Sequence, residues 1–248
     1  MIVVRAFLLL AFTFAVTVAG QPKQSDRDFD RLRGSVKTVL VERTDAKEKA
    51  GKVVETNRRK VESITYDQNG NRLNWLTFHW KTGDLFESTT YKLVGGEKVS
   101  ISEINPTGGV ITAKSTEAAP AKSSDPQYDF KLKYKHDSSG RVTEEAWWKS
   151  NGDLWLRYTY KREVNYREEF VYDANGKLNQ KYIFLLNNED NDVELIAFDT
   201  DTDKVSGKEK YEYLQFDKYG NWTKRIESEL QDGKPKVREV KYRTFTYF

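Results

Sequence analysis

One short motif constrains this chain more than any other feature: a ring residue, then Asp, two variable residues and Gly. It occurs as Tyr66-Asp67-Gln68-Asn69-Gly70, His136-Asp137-Ser138-Ser139-Gly140, Tyr172-Asp173-Ala174-Asn175-Gly176 and Phe216-Asp217-Lys218-Tyr219-Gly220. With 18 Asp and 15 Gly in 248 residues, chance would supply about one Asp followed by Gly three places later, so four copies with a ring in front make a repeat. The chemistry is that of a tight turn. Asp at the first position accepts a backbone N–H two residues on, and Gly at the fourth takes a left-handed conformation. Asp67, Gly70, Asp137, Gly140, Asp173, Gly176, Asp217 and Gly220 are therefore read as structural turn residues. The same aspartates could be a carboxylate cluster for acid–base work, but turn chemistry accounts for both the Asp and its Gly.

Between the turns the chain runs in short stretches of Val, Ile, Thr, Tyr, Phe and Trp, which are strand and hairpin signals. Gly70, Gly83, Gly95 and Gly108 follow one another at intervals of 12 or 13 residues, and Asn187-Asn188 marks a further break. This spacing predicts an all-β antiparallel meander of repeated hairpins, forming one large twisted or curled sheet or two lobes. Residues 66–92 can be laid over 136–161, with Trp80-Lys81-Thr82-Gly83-Asp84-Leu85 echoed by Trp148-Lys149-Ser150-Asn151-Gly152-Asp153-Leu154. The expected organisation is a leader over 1–20, an N-terminal segment over 21–34 with a short helix capped by Ser25 or Asp26, a first hairpin lobe over 35–113, a flexible linker over 114–127 and a second lobe over 128–248.

Arg5, the apolar run Ala6 to Val16 and the small tail ending at Ala19-Gly20 have the layout of a secretory leader. The apolar run is shorter than the roughly 20 residues a spanning helix needs. The expectation is an extracytoplasmic protein, periplasmic or secreted, that does not span the membrane once the leader is removed. Without cysteine there is no disulfide framework and no thiolate site. The 41 basic and 38 acidic side chains interleave, as in Lys47-Glu48-Lys49 and Arg167-Glu168-Glu169, so no concentrated basic face points to nucleic acid.

The ring-Asp-x-x-Gly copies, each followed by Asn, Arg or Lys and set among Tyr-rich arms, resemble the YD repeats of the RHS (rearrangement hot spot) family. Leu32-Arg33-Gly34-Ser35-Val36-Lys37-Thr38-Val39 and Phe216-Asp217-Lys218-Tyr219-Gly220-Asn221-Trp222-Thr223-Lys224-Arg225 are similar to the ends of small exported bacterial proteins that carry degenerate copies of that repeat. The resemblance covers roughly residues 30 to 248 and implies a hairpin-repeat fold without an assigned activity.

Candidate chemistry is sparse. His79 and His136, the two histidines, lie outside any nucleophile motif and read as packing rings, so no catalytic residue is assigned. Asp199-Thr200-Asp201-Thr202-Asp203 alternates like a calcium loop, but Lys204 and Lys210 stand where Gly and Glu are needed, and no metal or cofactor is expected. The remaining candidate is aromatic. If Ser150-Asn151-Gly152 is a three-residue loop, Trp147 faces Trp155 and Glu145 faces Arg157 on a solvent face, while Val142, Ala146, Trp148, Leu154, Leu156, Tyr158 and Tyr160 form the core face. Trp147, Trp155 and Arg157 are then the candidate ligand platform. The expected role is a non-enzymatic binding or scaffolding module of the envelope or exterior, with a polysaccharide or an envelope protein as partner. The alternative is a carbohydrate hydrolase using paired carboxylates.

Overall fold

The computed structural model describes residues 23–95, 97–104 and 129–248; the expected leader and the expected linker fall outside them. One helical turn, α1 (Asp26–Phe29), precedes fourteen strands: β1 (Val36–Lys49), β2 (Lys52–Tyr66), β3 (Arg72–Phe78), β4 (Leu85–Val94), β5 (Glu97–Ile104), β6 (Phe130–His136), β7 (Val142–Lys149), β8 (Leu154–Arg162), β9 (Tyr166–Asp173), β10 (Leu178–Leu186), β11 (Asp192–Phe198), β12 (Val205–Phe216), β13 (Trp222–Gln231) and β14 (Lys234–Tyr247). Each strand pairs antiparallel with its sequence neighbours, and β1 pairs with β14 from Val36 opposite Tyr247 to Asp45 opposite Glu239.

The meander is therefore a closed barrel, which corrects the expectation of an open twisted sheet or two lobes. Two pairings cause this. β5 and β6, on either side of residues 105–128, bond to each other through Lys98–Leu132, Val99–Lys131 and Ser100–Phe130, so the two halves share one wall. The β1–β14 ladder then removes the last free edges, which otherwise would template foreign strands. Turn spacing sets the length of a hairpin but says nothing about its two outermost strands.

An up-and-down barrel has two kinds of end. One, here the plug end, carries the start of β1, the end of β14 and the β2–β3, β4–β5, β6–β7, β8–β9, β10–β11 and β12–β13 turns. The other, the distal end, carries the remaining connections. The turns are built alike. Gly70, Gly140, Gly176 and Gly220 donate their N–H to the carbonyl three residues back, at 3.0, 3.0, 3.1 and 3.1 Å, all with φ between 79° and 86°. In the β10–β11 turn Asn187 stands for the Asp and Asp190, at φ 70°, for the Gly. A polar side chain tolerates that left-handed region better than most.

A fourteen-stranded barrel is too wide for its wall residues to fill with aliphatic side chains alone. The interior instead holds aromatic and charged side chains: Tyr66, Tyr91, Tyr211 and Trp222 are buried, and so are Asp192, Glu227 and Glu239. A compact apolar patch joins Leu32 of the N-terminal segment to Val36, Val39, Val41 and Tyr66 of the wall. The outward faces of β6–β9 and β11–β12 carry cross-strand ion pairs, Lys135–Glu144 at 2.9 Å, Lys161–Glu168 at 3.9 Å and Lys208–Glu194 at 3.8 Å. A lipid-facing barrel has an apolar band there; these faces have charge. No helix among the described residues is long and apolar enough to cross a membrane.

Candidate functional site

Residues 24–33 enter the plug end and are stitched to its turns. Ser25 caps α1 by accepting the Asp28 N–H at 3.2 Å, and Asp28 returns the bond to the Ser25 N–H at 3.1 Å. Such a short helix is held by its surroundings more than by its own hydrogen bonds. Gln24 and Arg27 donate backbone N–H groups to the carbonyls of Gly140 and Gly70, both at 2.9 Å. Val142 donates its N–H to Gln24 Oε1 at 3.0 Å and Arg72 donates its own to Asp26 Oδ2 at 2.6 Å. Further along, Arg31 reaches the Asp190 carbonyl at 3.0 Å, while the Arg33 N–H and carbonyl pair with the Asn221 amide at 2.7 and 2.9 Å. Three of the four ring-Asp-x-x-Gly turns and the Asn187–Asp190 variant thus form a collar around the plug. The fourth, at Asp173, lies at the distal end.

The plug also supplies counter-ions to the lumen. Asp30 binds the Arg72 guanidinium at 2.8 Å and accepts from Tyr66 Oη at 2.5 Å; Asp26 binds Lys98 Nζ at 2.6 Å; Arg31 binds Asp192 at 2.8 Å. Burial lowers the Lys98 ammonium despite Asp26, and burial raises the Glu145 carboxyl despite Arg72 and Lys98 nearby. Burial would also raise Glu227, but Arg225 and Lys241 hold it down to about 2.

Beneath the plug lies a cavity of about 490 Å³, within the range of small-molecule seats. Its walls combine rings and guanidinium groups: Phe29, Trp75 and Tyr160 with Arg72, Arg167 and Arg243. Phe29 meets Tyr160 edge-on at 5.1 Å, so a plug residue forms part of the wall. Seven basic but only three acidic side chains line it. A second cavity, on the Lys98 side of the plug, contains Asp26, Tyr134 and Glu145. There both Asp26 oxygens are occupied by Lys98, one also by the Arg72 N–H, which leaves Glu145 as the single raised carboxyl. Glu169, also raised by burial, is paired with Arg167 at 3.2 Å.

The expected aromatic platform is rearranged. Trp148 does pair with Leu154, but Trp147 pairs with Leu156 and Ala146 with Arg157, because Trp155 is the extra residue of a β-bulge. The shift turns β7 over. Thr143, Glu145 and Trp147 face the lumen, Glu145 accepting the Trp147 Nε1–H at 2.8 Å and the Tyr160 hydroxyl at 3.4 Å, while Ala146 and Trp148 face outward beneath Lys133, whose ammonium stands 5.5 Å from the Trp148 ring. The expected inner placement of Leu156, Tyr158 and Tyr160 agrees with the pairing. Trp147 and Trp155 do meet, edge-on at 6.0 Å, and Phe130 stacks on Trp155 at 4.4 Å. Arg157 is not part of that group; it covers Tyr172 of β9 at 4.6 Å.

Sequence reasoning missed the charged lumen because it equated apolar with inward. A usable signal existed: acid and base two residues apart on one strand face, as in Arg167-x-Glu169 and Arg225-x-Glu227, with a ring beside them. Both pairs are intrastrand ion pairs of the interior.

No family model matches the chain, and no curated protein matches it. Among solved structures it is similar to a porin-like protein from Bacteroides uniformis ATCC 8492, at TM-score 0.48 and 8% identity over 86% of this chain and 99% of that one. A putative outer membrane lipoprotein-sorting protein domain from Vibrio parahaemolyticus follows at 0.39 and 12%, covering 89% and 90%. A DUF1329 family protein from Desulfovibrio piger ATCC 29098 gives 0.30 and 9%, covering 86% of each chain. At these scores the likeness bears on no functional question, and the protein is characterised by its own strands as a fourteen-stranded antiparallel barrel with a plugged, charged lumen.

Proposed function

We propose that this protein is an exported, non-enzymatic binding module of the cell envelope or exterior whose ligand seat is the lumen beneath the plug. The observation that carries this is the ring-walled cavity at Phe29, Trp75 and Tyr160, enclosed at one end by a segment that is itself part of the wall. The leader-like residues 1–20 support export, and the four ring-Asp-x-x-Gly turns with their Asn187–Asp190 variant support kinship with small exported proteins of the YD-repeat type. Hydrolysis would call for two carboxyls with separate acid and base roles converging on one cleft. Asp26 beside Glu145 is fully engaged in holding the plug, which favours binding over hydrolysis.

The test uses a neutral apolar fluorophore, N-phenyl-1-naphthylamine. The purified protein is expected to take up one equivalent, and Ile64→Trp, which fills the cavity, is expected to lose at least ten-fold in affinity while Trp155→Ala binds as the wild type does. Uptake that survives Ile64→Trp and is lost in Trp155→Ala would move the seat to the distal aromatic group.

A further inference from the structure

The interior arginines are not equivalent. Arg31 is paired with Asp192, Arg72 with Asp30, Arg167 with Glu169 and Arg225 with Glu227. Arg243 on β14 is half-buried in the lumen wall, with its Nε buried and unpartnered, and among the described residues it has no carboxylate within ion-pair distance. Its guanidinium lies 4.0 Å from the Trp222 ring, and the side chain borders the 490 Å³ cavity as well as the two smaller spaces beside it. Burial and the neighbouring Arg225 lower its pKa to about 10 against the more distant pull of Glu62 and Asp30, which still leaves it charged at neutral pH.

A partly desolvated charge without an ion-pair partner is costly to hold, and a hydrophobic residue of similar volume would normally be more stable there. Arginine retained in such a place, with one face on an indole and its donors toward a cavity, is suited to an oxyanion. The planar fork matches a carboxylate or sulfonate, and a stacking ring keeps it in place. The rest of the cavity is ringed by Phe29, Trp75 and Tyr160, which suit an apolar or flat body.

Resting on the lumen reading above, we propose that the ligand is an organic anion: an oxyanion head bound by Arg243 and an apolar body packed among Phe29, Trp75 and Tyr160. Glu62 and Asp30 border the same space, so a cation of similar shape is the natural counter-hypothesis.

Three probes decide it: 8-anilinonaphthalene-1-sulfonate, neutral N-phenyl-1-naphthylamine and cationic 1-aminomethylnaphthalene. The wild type is expected to bind one equivalent of the sulfonate at least ten-fold more tightly than the neutral probe, and to bind the cation most weakly. Arg243→Met should erase that ten-fold preference while keeping neutral-probe uptake. It should also raise the Tm of the ligand-free protein, an effect that a structural arginine would reverse. If Arg243→Met does not fold, the wild-type ranking of the three probes still decides the question. Equal binding of sulfonate and neutral probe, or preference for the cation, overturns the anion while leaving the lumen seat in place. Uptake of none of the three overturns both.

Discussion

The two ends of the barrel are closed by the same turn chemistry but carry different loads. At the distal end, a β-carbon added at Gly176 would meet nothing within 4 Å, and the same holds at Gly152. At the plug end, one at Gly70 would stand 2.6 Å from Ser25 Oγ, and one at Gly220 would stand 2.7 Å from Arg33 Nη1. The glycines share their positive φ, so conformation alone does not separate them. What separates them is the plug, which lies against the turns so closely that the absent side chain makes room for it. A single motif thus serves as a plain turn at one end and as a docking collar at the other.

The comparison breaks first at the plug's counter-ions. Asp30→Ala strands the Arg72 guanidinium and the Tyr66 hydroxyl, and should cost about 3 kcal/mol, since removing one partner leaves the other buried without compensation. Urea melts at neutral pH would show it, and a change of a few tenths would mean that the plug is only loosely seated. Next come the glycines. Gly70→Ala should cost roughly 2 kcal/mol, combining a left-handed alanine with the contact against Ser25, whereas Gly176→Ala should cost about 1 kcal/mol from conformation alone. Equal losses would deny the collar its special role. Trp155→Ala, in the distal aromatic group, should cost about 1 kcal/mol, because the ring is 42% exposed and mainly loses its stacking on Phe130.

The smallest effect tests whether the turns themselves are chemically alike. Asp137 at the plug end is held down to about 2 by the Ser139 hydroxyl and the Arg141 N–H, and Asp199 at the distal end is lowered by the Thr202 hydroxyl and N–H. A carboxyl lowered by folding contributes stability above its unfolded value of 3.8, and that contribution disappears as pH falls through the folded value. Melts followed between pH about 4 and about 2 should therefore show a shallow acid slope that Asp137→Asn and Asp199→Asn each reduce. A slope that responds to only one of them would locate a difference in the turns and not in the plug.

Much of the wall was legible in the sequence, because turns announce themselves locally. Asp67, Asp137, Asp173 and Asp217 each hold backbone N–H groups within four residues. The short helix capped at Ser25 was legible for the same reason, and it runs for a single turn to Phe29. Closure was not legible, since Val36 and Tyr247 are partners separated by almost the whole chain. Nor was the seat. Its acids and bases balance across strands and through the plug, and the one extra residue at Trp155 reverses which face of β7 a reader would assign to solvent.

The plug has a further consequence for how the chain acquires its structure. It stands first among the described residues, yet its partners Gly70, Gly140, Asp192 and Asn221 are spread over most of the chain. Neighbouring strands can zip as soon as each hairpin exists, on a timescale of microseconds. Seating the plug must wait for the β12–β13 turn, and the β1–β14 seam must wait for the last residues. Contacts of such long sequence separation make folding slow. A chain that cannot finish its barrel until its final strand is available leaves its first described segment among the last parts to come to rest.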